Sequence, residues 1–294
     1  MIALHDKIKI YITRFCHVSG PIILSAFSLF ISFILLQPIA CWLDPTFNLL
    51  ANRGTGKIAF TVLVLLHIGL LITTTSNKFL KTIAQTNVYF LCNTRWIPLF
   101  LKYFAVFCGL HAFLLLMLSA TPFVQLDLTA STLILHKVGN LAWGFIATFF
   151  LAWTEEFIFR GTLFTFFNQH LSTLGSVFVT SAIFSLVHNV TNPLALVTTD
   201  WKLGLGLFLL GVVLNLFFVR TKTLATGMGV HAGLVFVKVF LRRIPMLNYA
   251  AVLPWWLDID LRQSPLVHLL FLLLILYLLI TTKNLSKQRS VLTS

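Results

Sequence analysis

The chain has 294 residues, 58% of them hydrophobic and only 10% charged, with a mean hydropathy of +0.94. That composition excludes a soluble globular domain and implies an integral membrane protein. A formal net charge of +13 would point to nucleic acid in a soluble protein. Here the basic residues fall mostly between apolar runs, where they act as topology signals and contacts to membrane lipids, and no nucleic-acid partner is expected. Cys16, Cys41, Cys92 and Cys108 form no CxxC or Cys/His spacing, so neither a disulfide framework nor a cysteine metal site is supported.

In chain order, Lys7, Lys9 and Arg14 precede an apolar run that is longer than a signal-peptide core and reads as a retained first span. Candidate spans follow at roughly 20–43, 58–76, 97–120, 139–167, 173–191, 203–219, 224–241 and 265–282, most of them near the ~20 residues a crossing helix needs. The boundaries carry turn chemistry, as at Asp44-Pro45, Thr121-Pro122, Asn192-Pro193 and Ile244-Pro245. The expected architecture is all-α: about eight transmembrane helices in one bundle, a single membrane domain over 1–294. Lysine and arginine place both termini in the cytoplasm, although Arg242-Arg243 runs against that bias. A chain of this length without appended domains points to a bacterial inner membrane. Between Arg243 and the last span, Trp255, Trp256, Asp258 and Asp260 mark an interfacial loop with tryptophans at headgroup level.

Glu155, Glu156 and Arg160 lie in the middle of the fourth span. An unpaired charge at mid-bilayer costs ~3 kcal/mol on insertion scales, so three in one span need a functional reason. The four-residue step stacks Glu156 on Arg160, where the two neutralise each other. Glu155 points about 100° away and needs a partner from another helix. Ser181, Ser185 and His188 form one polar stripe on the fifth span, Asn215 sits in the sixth, and His231 and Lys238 share a face of the seventh. Taken singly, a buried histidine or asparagine is more often helix-packing glue than catalyst. Together, Glu155, His188 and His231 form a set that can activate water: the carboxylate takes the proton and the imidazoles steady the carboxylate or the oxyanion.

These residues resemble a known family. Glu155-Glu156-Phe157-Ile158-Phe159-Arg160 matches EExxxR, Phe184-Ser185-Leu186-Val187-His188 matches FxxxH, and His231 supplies a third element, in the order found in the CPBP (CAAX-processing and bacteriocin-processing, Abi-type) intramembrane endopeptidases. The resemblance covers roughly 139–241, the expected catalytic core. It implies that Glu155 activates a water, His188 assists, His231 helps hold the oxyanion, and Glu156 and Arg160 are structural, positioning residues. One departure concerns the third element, usually HxxxN or HxxxD in that family. Here Val235 stands four residues after His231. Asn215, Asn189 and Lys238 are the candidates for the missing oxyanion or polar support.

The resemblance implies a glutamic-type endopeptidase, formerly grouped with metallo-endopeptidases, acting on a peptide or protein terminal segment at the membrane. A Glu/His/His set can also hold zinc. Yet HExxH is absent, and Glu156, the one carboxylate placed to orient a histidine, already has Arg160, so metal-free hydrolysis needing no cofactor fits more simply. Val235 motivates the alternative of a weak or inactive family member acting as membrane scaffold or bacteriocin-immunity protein. A proton relay or transporter is the third reading, without the repeated half-sequences or broken helices that would support it.

Overall fold

The computed structural model describes residues 95–292, except 133, 135–136, 169–170 and 190–191. The spans expected at 20–43 and 58–76, with Cys16, Cys41 and Cys92, lie outside the described residues. The described part is mostly helical, and five of its helices are long and apolar enough to cross a membrane. Helix α1 covers Trp96–Ser119 and leads through strand β1 (Val124–Leu126) to α2 (Val138–Glu156), which runs on without a break as a π-helix over Phe157–Phe164. Then come the shorter α3 (Thr173–Leu186), α4 (Trp201–Thr221), α5 (Leu224–Arg243), β2 (Leu247–Tyr249) and α6 (Pro265–Leu292).

The helices sort into two groups that meet at a seam. Helix α5 packs on α1 and α2, whereas α4 packs on α3 and α6. The groups are joined where α4 turns into α5: Lys222 adopts the left-handed conformation (φ 55°), and the Thr223 hydroxyl caps α5 by accepting from Ala225 N at 3.3 Å. On α5, a Cβ at Gly229 would lie 2.6 Å from the Phe100 carbonyl oxygen, and one at Gly233 would lie 2.8 Å from that of Phe104. Only glycine lets the α1 and α5 backbones approach so closely, the small-residue packing that replaces hydrophobic drive inside a membrane. Cys108 Sγ and His111 Nδ1 on α1 add hydrogen bonds to the α5 carbonyls of Gly233 (3.3 Å) and Leu234 (3.1 Å). Thus α1, outside the motif-bearing segment, buttresses the helix that carries His231.

Helix α3 departs from the expected span. Its α-helix stops at Leu186 and passes into short 3-10 turns at Val187–Asn189 and Pro193–Leu196. Local side chains compete for the backbone there: the His188 ring takes the Phe184 carbonyl at 2.6 Å, and Asn192 Oδ1 accepts from Ala195 N at 3.3 Å. Pro193 in turn disfavours helical backbone at Asn192. The polar stripe does face protein, since Ser185 Oγ donates to Gly204 O of α4 at 2.8 Å and Ser181 is fully buried.

Strands β1 and β2 pair antiparallel, Val124 opposite Tyr249, tying the α1–α2 connection to the segment after α5. From there a strap over 254–264 leads to α6. Its two tryptophans differ: Trp255 is 79% exposed, while Trp256 packs edge-on against Phe123 at 6.0 Å. Asp260 organises the strap, taking Arg262 Nη2 at 2.6 Å, Arg262 Nε at 3.0 Å and Lys238 Nζ of α5 at 2.8 Å. Burial pushes the Asp260 carboxyl up, but the hydrogen bonds and charges of Arg262 and Lys238 outweigh it and hold the group well below the usual carboxylate range.

Candidate active site

The last α-helical turn of α2 carries two carboxylates that face different neighbours. Glu156 is fully buried, and its Oε1 accepts from Arg160 Nη1 at 3.0 Å. Arg160, also fully buried, uses Nη2 to reach the Gly211 carbonyl of α4 at 3.2 Å, and its guanidinium lies 4.8 Å from the centre of the Phe184 ring. An arginine satisfies this site because its planar fork serves a carboxylate and a carbonyl at once while its face rests on an aromatic ring. The π-helix begins at Phe157, directly after the two glutamates, so the wider turn carries Arg160 toward α4. Thr165 Oγ1 donates five residues back to Arg160 O at 3.1 Å, a reach that suits the widened turn.

His231 lies between the two carboxylates. Its Nδ1 is 3.3 Å from Glu156 Oε1 and its Nε2 is 3.7 Å from Glu155 Oε2, with the ring almost wholly buried. One turn earlier, Gly227 presents bare backbone to Glu156, and a Cβ there would collide with Oε2. From the other side of the seam, His188 brings its Nε2 to 3.7 Å from the same Glu155 oxygen. A carbonyl can only accept, so the 2.6 Å contact to Phe184 O places the hydrogen of His188 on Nδ1 and turns Nε2 toward Glu155. Phe184 packs against both imidazoles, at 4.5 Å from the His188 ring and 6.1 Å from that of His231.

Glu155, His188 and His231 are therefore brought together from α2, from the turn after α3, and from α5. Glu155 Oε2 is buried and makes no direct hydrogen bond, and both 3.7 Å spacings exceed the direct range. The glutamate and His188 side chains are one-fifth and one-quarter exposed, so the set opens to the surface of the helices, while Glu156, Arg160 and His231 form its buried backing.

Of the three candidates for extra polar support, Asn215 and Lys238 do not join this set. Asn215 is buried and spends its amide on α3, donating to Val177 O at 3.3 Å and Ser181 Oγ at 3.0 Å. That leaves its N–H groups committed to helix packing. Lys238 shares the His231 face of α5 but is drawn to Asp260 on the strap. The side chain of Asn189 lies outside the described residues. Sequence reading quoted Phe184 only as the first residue of FxxxH, without a role, and passed over Gly211 and Gly227: a glycine in an apolar helix carries no distinctive signal, and only its place beside Arg160 or Glu156 reveals its role. Among the described residues no group of three or more His, Cys, Asp or Glu side chains is arranged to hold a metal ion.

No curated protein and no solved structure matches the chain. One family model does, and its bounds enclose Glu155, Glu156, Arg160, His188 and His231 on the segment that builds the site. Residues 137–237 match the model described as Type II CAAX prenyl endopeptidase Rce1-like, a match that agrees with the resemblance to the CPBP endopeptidases.

Proposed function

We propose that this protein is an intramembrane endopeptidase that hydrolyses a peptide bond of a membrane-associated peptide or protein terminal segment with water activated by Glu155. The observation that carries the reading is the meeting of Glu155 Oε2 with two ring nitrogens, each 3.7 Å away, in a partly exposed niche backed by buried charges. That spacing suits a water hydrogen-bonded to the carboxylate and an imidazole. In the reaction, Glu155 takes a proton as the water oxygen bonds to the scissile carbonyl carbon. The carbonyl oxygen becomes an oxyanion steadied from the His231 side, and Glu155 returns the proton to the leaving amine as the C–N bond breaks. His188 orients the carboxylate or water from across the seam. Glu156 accepts from His231 Nδ1 and fixes that ring, whose Nε2 donates to the oxyanion when that nitrogen carries a hydrogen as well, and Arg160 holds Glu156 in place. The membrane is read as a bacterial inner membrane with both termini cytoplasmic.

Purified protein in liposomes, offered membrane-anchored peptides with varied terminal segments and followed by mass spectrometry, tests the reading. Wild type cleaves and Glu155→Gln does not, although it folds, because the amide keeps the shape and loses the base. If Glu155→Gln and wild type support the same cellular phenotype and neither cleaves, the protein is a scaffold or immunity protein, the second reading that Val235 motivates. Activity that survives a strong chelator, in protein free of bound metal, separates the water mechanism from zinc chemistry.

A further inference from the structure

Lys238 has no place in the hydrolysis described above, yet it sits seven residues beyond His231 on the same face of α5 and is partly buried against Asp260. The contacts that continue from this pair form a circuit around the site. Asp260 grips Arg262 with both carboxylate oxygens, and the Arg262 carbonyl accepts from His268 Nε2 of α6 at 2.8 Å. The same carbonyl lies against Gly206 of α4 so closely that a Cβ there would overlap it. Half a turn away on α4, Gly204 O accepts from Ser185 Oγ, on the turn that leads to His188. One end of the circuit is His231 on α5 and the other is His188 after α3. Both face Glu155. The strap crosses from one helix group to the other, and Lys238–Asp260 is the ion pair that fastens it to α5.

We propose that the Lys238–Asp260 pair is a positioning clasp that sets the separation of His231 and His188 across Glu155, holding the seam closed at the catalytic depth. The proposal rests on those three residues forming the reacting set, but its mechanical part stands or falls by itself. At the far end of α5, the connection to α4 is a two-residue turn with Lys222 in the left-handed conformation, a pivot about which the outer half of α5 can move. A glycine-lined contact binds α5 to α1, so any opening of the seam would carry the two helices as one unit relative to α3 and α4. The clasp opposes that movement. Arg262 keeps Asp260 satisfied when Lys238 is changed, so loss of the lysine leaves the strap folded and releases only its attachment to α5.

The test compares Lys238→Met, which keeps bulk and loses charge, with Lys238→Arg, which can keep the pair; Lys238→Gln serves if the methionine variant folds poorly. Spin labels at the exposed positions Arg242 on α5 and Leu269 on α6, in protein whose cysteines are replaced by serine, report the seam in liposomes by dipolar distance. The clasp predicts a longer, broader distance distribution in Lys238→Met than in wild type, with Lys238→Arg restoring the wild-type distribution. On a cleavable peptide, kcat in Lys238→Met falls roughly tenfold to a hundredfold, the cost of misplacing reacting groups by about an ångström, with little change in KM. Unchanged distances in both neutral variants overturn the clasp whatever the activity. A widened seam in a protein that cleaves nothing keeps the clasp and overturns the peptidase reading.

Discussion

Oε1 of Glu156 is shared by two neighbours: Arg160 Nη1 reaches it at 3.0 Å and His231 Nδ1 lies 3.3 Å away. The carboxylate that looks from the sequence like half of a local ion pair therefore also orients a ring on another helix. It links the charge balance of α2 to the geometry of α5, and the consequences of disturbing it extend beyond the pair.

Arg160→Ala should remove most of the folded protein. It leaves Glu156 buried and short of its cation, and breaking a buried pair by deleting one partner costs about 3–5 kcal/mol. Arg160→Lys should rescue only in part, since one ammonium cannot reproduce the fork that serves Glu156 and Gly211 O together. Abundance in the membrane and thermal unfolding in detergent check both; a wild-type melting temperature for Arg160→Ala would refute the pairing as a stabilising contact.

Gly227→Ala tests the contact between α5 and the carboxylate. The added methyl meets Glu156 Oε2, and that oxygen cannot swing aside cheaply because Oε1 is held by Arg160 and lies against His231. Overpacking of this kind costs about 1–3 kcal/mol. The expected result is a lower melting temperature together with a fall in kcat, because the displaced carboxylate no longer fixes His231. A variant as stable and active as wild type would mean that the carboxylate has room the structure does not show.

Acid should weaken the strap within a defined window. The Asp260 carboxyl is held below its ordinary value in the folded protein, so its contribution to stability is complete above the unfolded value, about 3.9, and is lost as pH falls through the folded one. Near neutral pH, Asp260→Asn should therefore be less stable than wild type by an amount that does not vary with pH, and the difference should shrink only below about pH 4. Melting curves of the two proteins across pH 3 to 8, roughly the span over which a carboxylate and a histidine titrate, provide the check. A difference that instead closes between pH 6 and 7 would implicate a histidine.

Several features were legible in the sequence because the membrane makes charge conspicuous. Glu155 and Arg160 stand out against apolar neighbours, and their spacing to Glu156 already separates the paired carboxylate from the one needing a partner. The convergence of His188 and His231 on Glu155 follows from the same logic, since polar groups at depth must meet protein. What the sequence hid was backbone. Nothing in Phe157 to Phe164 announces a π-helix, and the short α3 depends on the His188 ring taking the Phe184 carbonyl, a competition that apolar periodicity does not register. Lys238 misled for a different reason. Its register on α5 does match that of His231, but Asp260 arrives from a loop whose path no helical pattern predicts.

The last prediction concerns Val235, one turn beyond His231 and partly buried on α5. Neither Asn215 nor Lys238 is turned to that position, the first having both amide hydrogens on Val177 and Ser181 and the second being drawn to Asp260. If His231 alone steadies the oxyanion, the wild type is a slow enzyme, since one such donor is worth about 10²–10³ in rate. Val235→Asn should then raise kcat with little change in KM, because the new amide acts only where charge develops in the transition state. Val235→Leu, similar in bulk but apolar, should leave the rate near wild type and separate donation from shape. Cleavage of one peptide by all three proteins, compared as kcat and KM, is the measurement. An asparagine variant slower than both would show that the oxyanion is already satisfied from another direction and that the added amide disturbs it.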